Sequence, residues 1–185
     1  MNICIFPGTF NPIHSAHLRM AEFALQNYGF EKIIFIPSYI PPHKDIDKNL
    51  ATHRYNMVKL AIAGNKKFEI SDIEYKSEGK SYSLITVKKI IKEYNIKGKL
   101  NFIIGTDAFK NIKSWYCTDE LAELVHFIVF PRDNDKISLE DFYKYSFEIA
   151  NMPKLKLSST ELRAMHGIGT EKKVEEYIKE NGLYN

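Results

Sequence analysis

At 185 residues the chain is long enough for one domain with a single well-filled core. Its hydrophobic fraction of 44% and charged fraction of 26% are those of a globular protein, and no stretch approaches the ~18 apolar residues that would cross a bilayer. A net charge of +3, spread over helix-face lysines such as Lys88, Lys89, Lys92, Lys97, Lys172, Lys173 and Lys179, is too small and dispersed to imply nucleic acid. Neither nucleic acid nor a membrane is expected as a partner, and nothing in the pattern sets an oligomeric state.

In chain order, Met1–Phe6 is apolar without a basic leader and is stopped by Pro7-Gly8, which reads as a buried strand over Asn2–Phe6 rather than a signal peptide. The expected setting is the cytoplasm. Helical spacing follows at Leu18/Ala21/Leu25/Tyr28, then a strand at Lys32–Ile36 and a proline-rich surface loop over Pro37–Asn49. A helix through Tyr55/Val58/Ala61/Ile62 leads to a strand at Phe68–Ser71, and a helix through Leu84/Val87/Ile90/Ile91 leads to strands at Leu100–Ile104 and Val125–Phe130. A loop over Asp133–Ser138, a weaker strand at Lys154–Leu157 and a helix through Val174/Tyr177/Ile178 complete the chain. Strands separated by helices predict βαβ units: an α/β, Rossmann-like single domain over 1–185, its mostly parallel sheet flanked by helices. Ligands of such sheets sit beyond the carboxyl ends of the strands, where strand order reverses.

Cys4 and Cys117 belong to no metal-ligand pattern. Their spacing leaves a disulfide open, while a reducing compartment favours two free thiols. Four arginines, Arg19, Arg54, Arg132 and Arg163, stand out in a chain that otherwise uses lysine. A guanidinium offers phosphate a planar fork that an ammonium lacks, so each is a candidate phosphate contact, against the commoner reading of a surface or capping residue.

The densest chemistry lies in the turn Gly8-Thr9-Phe10-Asn11-Pro12-Ile13-His14-Ser15-Ala16-His17. Gly8 permits a close approach that a side chain would block, Thr9 adds a hydroxyl, and Pro12 ends the loop rigidly. A helix starting near His14–Leu18 would aim free N–H groups and the positive end of its dipole at a phosphate. His14 and His17 project from one face of its first turn and can donate hydrogen bonds without a permanent charge. Singly these residues are ordinary: a Gly-Thr turn is common, two histidines can be half a metal site, and a helix cap needs no chemistry. Their conjunction after the first strand of an α/β chain points to phosphate binding, although neither G-x-x-x-x-G-K-[ST] nor G-x-G-x-x-G is present. Toward the other end, Ser158-Ser159-Thr160-Glu161-Leu162-Arg163 places three hydroxyls at a helix start. Ser158 and Glu161 could form a plain capping box, but Arg163 would oppose the helix dipole unless a polyphosphate were bound there.

Gly8–His17 resembles the G-T-F-D-P-x-H-x-G-H signature of the HxGH-type nucleotidyltransferases, which transfer a nucleotidyl group and release pyrophosphate. Leu157–Arg163 resembles their I-S-S-T-x-I-R motif. Asn11 stands where Asp is usual and Ala16 where Gly is usual; the short polar Asn11 suits the same turn, and both histidines remain. Within that family three segments resemble the bacterial nicotinate-nucleotide adenylyltransferases. Ile40-Pro41-Pro42-His43-Lys44 with His53-Arg54 looks like their P-P-H-K loop and following helix, and Gly79-Lys80-Ser81-Tyr82-Ser83-Leu84-Ile85-Thr86 like their G-x-S-Y-T-x-D-T. Phe102-Ile103-Ile104-Gly105-Thr106-Asp107 with Trp115-Tyr116 looks like their F-I-I-G-A-D and W-Y pair. Pro131-Arg132 echoes an R-P pair in shifted order, and Tyr177–Tyr184 fits their ending, so the resemblance covers nearly the whole chain.

The resemblance implies adenylyl transfer from ATP to nicotinate mononucleotide, giving deamido-NAD and pyrophosphate, a step of NAD biosynthesis. His14, His17 and Arg163 are implied as catalytic. Gly8, Thr9, Phe10, His17, Gly105, Asp107, Ser158, Ser159, Thr160 and Arg163 are implied for ATP, with Asp107 at its ribose. Thr9, His43, Lys44, Tyr82, Ser83, Trp115 and Tyr116 are implied for the acceptor. There Trp115 stacks on the pyridine ring, N–H groups near Ser83 and Tyr116 hold its carboxylate, and His43 and Lys44 face its phosphate. Ser83 replaces Thr and Ile85 replaces Asp. Mg2+ is the implied cofactor, held mainly by ATP phosphates with no protein ligand. Two other readings remain: a phosphopantetheine adenylyltransferase, which shares both phosphate motifs but lacks the Ser-Tyr and Trp segments, and a nucleotide-binding regulator without turnover.

Overall fold

The computed structural model describes residues 2–77, 79–131, 137–138, 140–152, 160 and 170–184. The apolar runs become strands β1 (Ile3–Gly8), β2 (Lys32–Pro37), β3 (Phe68–Ile70), β4 (Leu100–Gly105) and β5 (Val125–Phe130), joined by β6 (Ser146–Ile149). All pair in parallel, in the order β3-β2-β1-β4-β5-β6. Helices α1 (Ser15–Tyr28), α2 (Leu50–Ile62), α3 (Ser83–Glu93), the short α4 (Thr106–Lys110) and α5 (Thr118–Leu124) connect them, and α6 (Lys172–Glu180) follows. This is the expected α/β, Rossmann-like arrangement.

The central strands read as unbroken apolar runs because helices cover both faces of the sheet. Side chains alternate across it, so Ile3, Ile5, Ile34, Phe102 and Phe127 enter one core layer with Val87, Ile90 and Leu121 of α3 and α5. Cys4, Phe6, Phe35, Ile103 and Ile128 enter the other, with Ala21, Val58 and Ile178 of α1, α2 and α6. Among the described residues no helix is long and apolar enough to cross a membrane.

Three departures from the sequence reading have physical reasons. β1 does not stop at Pro7-Gly8 but runs through both, paired with Ile36 and Pro37 of β2. Its pairing with β4 covers Cys4 and Ile5, so at Pro7 the strand is paired on one side, where a missing N–H is tolerated. β6 was not foreseen because S-F-E-I is short and polar, with Glu148 and Ile149 exposed at the sheet edge; the strand expected at Lys154–Leu157 lies outside the described residues. The helices α4 and α5 are too short to establish a helical period. Both cysteines are free, Cys4 buried and Cys117 exposed, and burial pushes the Cys4 thiol well up from its usual range.

Strand order reverses between β1 and β4, since α1 carries the chain from β1 to one side and β4 adds on the other. The crevice at that reversal is bordered by Gly8, Gly105 and Phe130, the last residues of β1, β4 and β5.

Candidate active site

β1 delivers Gly8 to the crevice, where its carbonyl accepts the Ser38 N–H at 2.9 Å. A Cβ at Gly8 would lie 2.8 Å from Cζ of Phe10, so the glycine is needed for the close approach of that ring. Phe10 has φ 47 and is 2% exposed. Its ring meets Phe6 edge-on at 5.4 Å and His17 at 5.0 Å, forming a strut beneath the turn. The Asn11–Pro12 peptide is cis, and the Asn11 Oδ1 accepts the Tyr184 hydroxyl at 2.5 Å.

His14 caps α1, which has no acidic residue in its first turn and so leaves the positive end of its dipole open to an anion. The rings of His14 and His17 lie 3.7 Å apart at 31°. The Nδ1 of His17 accepts the His14 main-chain N–H at 3.2 Å. With Nδ1 an acceptor, the neutral ring carries its proton on Nε2, which makes that edge the donor.

Arg54 corrects the reading of the arginines. It is fully buried on α2 and its guanidinium donates to three main-chain carbonyls: Thr9 at 2.9 Å, Ser38 at 2.5 Å and Tyr39 at 3.1 Å. It therefore touches protein, not phosphate. Arg19 is exposed on α1, and Arg132 and Arg163 lie outside the described residues.

The loop that follows β2 is tied down further by Ser81, whose hydroxyl accepts the Tyr39 and Ile40 N–H groups at 3.1 Å each. The Ser81 N–H returns a bond to the Ile40 carbonyl at 2.8 Å. Glu74, 5% exposed, accepts the Thr86 hydroxyl at 2.8 Å and the Tyr39 N–H at 3.3 Å. Burial pushes its carboxyl up, while hydrogen bonds from Ser81, Thr86 and the Tyr39 N–H, and the charge of Arg54, hold it part of the way back. This network was missed in the sequence. The available signal was Arg54 on the same helical face as Ala51, Met57, Val58 and Ile62, all buried.

These elements enclose one cavity of about 1150 Å³. Of the residues expected at ATP, Gly8, Thr9, Phe10, His17, Gly105, Asp107 and Thr160 line it, with His14 beside them; Ser158, Ser159 and Arg163 lie outside the described residues. Of those expected at the acceptor, Thr9, His43, Lys44, Tyr82, Ser83, Trp115 and Tyr116 line it. Trp115 is half-buried, its ring 6.3 Å from Phe102, so it is a packing residue as well as a wall of the cavity. The Tyr82 and Tyr116 rings stand 4.7 Å apart. Ala16 lines the cavity and is 5% exposed, whereas Ile85 is 42% exposed on α3 and does not line it. Among the described residues no group of three or more His, Cys, Asp or Glu side chains could hold a metal. The cavity offers imidazole, hydroxyl and main-chain N–H donors, a set suited to phosphate oxygens.

Residues 5–165 match the cytidylyltransferase-like family. The nicotinate-nucleotide adenylyltransferase of Bacillus subtilis is 37% identical over 189 residues, covering 98% of this chain and 97% of that one. The probable nicotinate-nucleotide adenylyltransferase of Clostridium tetani is 39% identical over 198 residues, covering 97% of each chain. Among solved structures, the nicotinic acid mononucleotide adenylyltransferase of Plasmodium falciparum complexed with NaAD superposes with a TM-score of 0.81 at 25% identity, over 99% of this chain and 97% of that one.

Proposed function

The chain belongs to the cytidylyltransferase-like family, among its nicotinate-nucleotide adenylyltransferases, and we propose that it moves the adenylyl group of ATP onto nicotinate mononucleotide. The products are deamido-NAD and pyrophosphate. That it is a nucleotidyltransferase performing adenylyl transfer in NAD biosynthesis follows from full-length identity to such enzymes; the acceptor is the finer reading. The observation that carries it is the convergence of the turn Gly8–His17, the His43-Lys44 loop and Tyr82, Ser83, Trp115 and Tyr116 on one cavity.

The acceptor's phosphate monoester is mostly dianionic near neutral pH, its second pKa being ~6, so it needs no protein base. One of its oxygens attacks the α-phosphorus of ATP; the new P–O bond forms as the bond to the β-phosphate oxygen breaks, and pyrophosphate leaves. Catalysis is then positioning and charge stabilisation. The Nε2–H of His17 and the start of α1 would stabilise charge on the α-phosphate, with His14 alongside. Ser158, Ser159, Thr160 and Arg163 would grip the departing phosphates, and Asp107 the ribose. ATP would enter as its magnesium complex, with the metal held mainly by the ATP phosphates, and the cavity's donors would meet the remaining phosphate oxygens. Trp115 would stack on the pyridine ring while N–H groups near Ser83 and Tyr116 hold its carboxylate. Two free cysteines, one exposed, suit a reducing cytoplasm.

The test is pyrophosphate release with ATP and each of three acceptors. Nicotinate mononucleotide should support the fastest release, ahead of nicotinamide mononucleotide, with none from phosphopantetheine. Release with phosphopantetheine alone would overturn the acceptor assignment, and tight ATP binding with no release from any acceptor would make the protein a regulator.

A further inference from the structure

The turn Thr9–Asn11 is held from behind by two side chains from distant parts of the chain. Arg54 of α2 takes the Thr9 carbonyl, and Tyr184, beyond α6, donates to Asn11 Oδ1. In a trans peptide the carbonyl and the next N–H point to opposite sides. With the Thr9 carbonyl drawn to Arg54, fully buried behind the wall, the Phe10 N–H is turned toward the cavity that Thr9 and Phe10 line. No hydrogen bond among the described residues uses that N–H. Phe10 also sits at φ 47, a sparsely populated conformation for a residue with a side chain, which persists only where surrounding contacts impose it. The other two Arg54 bonds go to Ser38 and Tyr39, so one guanidinium fixes the turn and the start of the His43-Lys44 loop together.

We propose that Arg54 and Tyr184 are positioning residues that aim the Phe10 N–H at the ATP phosphates and register the two loops against each other. The inference rests on the proposed function, since it takes ATP as the ligand of the turn. Its distinguishing consequence is selectivity for the phosphate end of the nucleotide: loosening the turn weakens ATP but not adenosine, whose base and ribose bind elsewhere in the cavity.

The experiment measures the affinity of magnesium-ATP and of adenosine, and steady-state turnover, for the full chain and two variants. Arg54→Lys keeps the charge but loses the planar fork, and should weaken ATP and lower turnover by about tenfold or more. Tyr184→Phe deletes one hydroxyl and should do so about threefold to tenfold, the worth of one hydrogen bond. Adenosine affinity should stay at the wild-type value in both. In an Asn11→Ala background, Tyr184→Phe should cost less than in the wild-type chain, because the Asn11 acceptor of its hydroxyl has gone. Parallel loss of ATP and adenosine would reduce both residues to general structural roles and overturn the proposal, as would unchanged ATP affinity and turnover. If Arg54→Lys does not fold, Tyr184→Phe decides alone. A wild-type protein that neither binds ATP nor releases pyrophosphate is a different result: it sinks the functional reading itself.

Discussion

His17 receives the His14 main-chain N–H on Nδ1 at 3.2 Å while the two rings lie 3.7 Å apart. That contact occupies Nδ1 and leaves Nε2 as the donor edge of the imidazole. A glutamine amide reaches about as far as Nε2, an asparagine amide only as far as Nδ1. His17→Ala and His17→Asn should therefore lower kcat by ~10²–10³, the usual loss for one donor to a developing oxyanion, with the fold retained. His17→Gln should lose distinctly less. Equal losses in all three would show that Nε2 is not the donor.

Gly8→Ala tests the strut. The added methyl would meet Cζ of Phe10 at 2.8 Å, and that ring is wedged against Phe6, Phe35 and His17. Overpacking at such a site costs ~1–3 kcal/mol. Urea unfolding should report that loss, and the KM for ATP should rise because the turn moves with the ring. An unaltered unfolding midpoint would mean that Phe10 can swing aside.

Trp115 separates packing from recognition. Trp115→Phe keeps an aromatic face and should change the acceptor KM little. Trp115→Ala should raise it about fivefold, from ~1 kcal/mol of stacking, and also lower stability through lost contact with Phe102. The KM for ATP should hold in both. A rise confined to ATP would place the ring against the wrong substrate.

Glu74 gives a pH signature. Its carboxyl is raised by burial, so the native state holds the proton more tightly than the unfolded chain. The associated stability is fully present below the ordinary carboxylate range and is lost as pH rises through the raised value. Glu74→Gln cannot ionise and carries a pH-independent offset, because its amide N–H would face the Tyr39 N–H. As pH rises through and beyond the ordinary carboxylate range the variant should gain stability relative to wild type and then level off. Parallel melting curves across that range would contradict the shift.

The fold was legible wherever a strand is covered on both faces, as β1, β2, β4 and β5 are, because continuous burial leaves continuous apolar sequence. It was illegible at β6, where one exposed edge admits Ser146 and Glu148 into the strand. At the site, Gly8–His17 spoke through local spacing, since the strand end, turn and helix start are contiguous. Arg54 did not, because a lone charge in an amphipathic helix reads as surface unless its place on the apolar face is noticed. The Tyr184–Asn11 bond joins residues 173 positions apart, and no local pattern encodes it.

The reversal of strand order also orders events in time. Cys4 pairs with Ile33 on one side and with Asn101 on the other. The first pairing closes a short βαβ loop, while the second must bring together positions separated by more than half the chain, a larger entropic barrier. A refolding chain should regain the β1–β2 half of its sheet before the β4 wall of the crevice exists. Nucleotide affinity is then the last native property to return, and a ligand-binding signal would report the completion of folding rather than its onset.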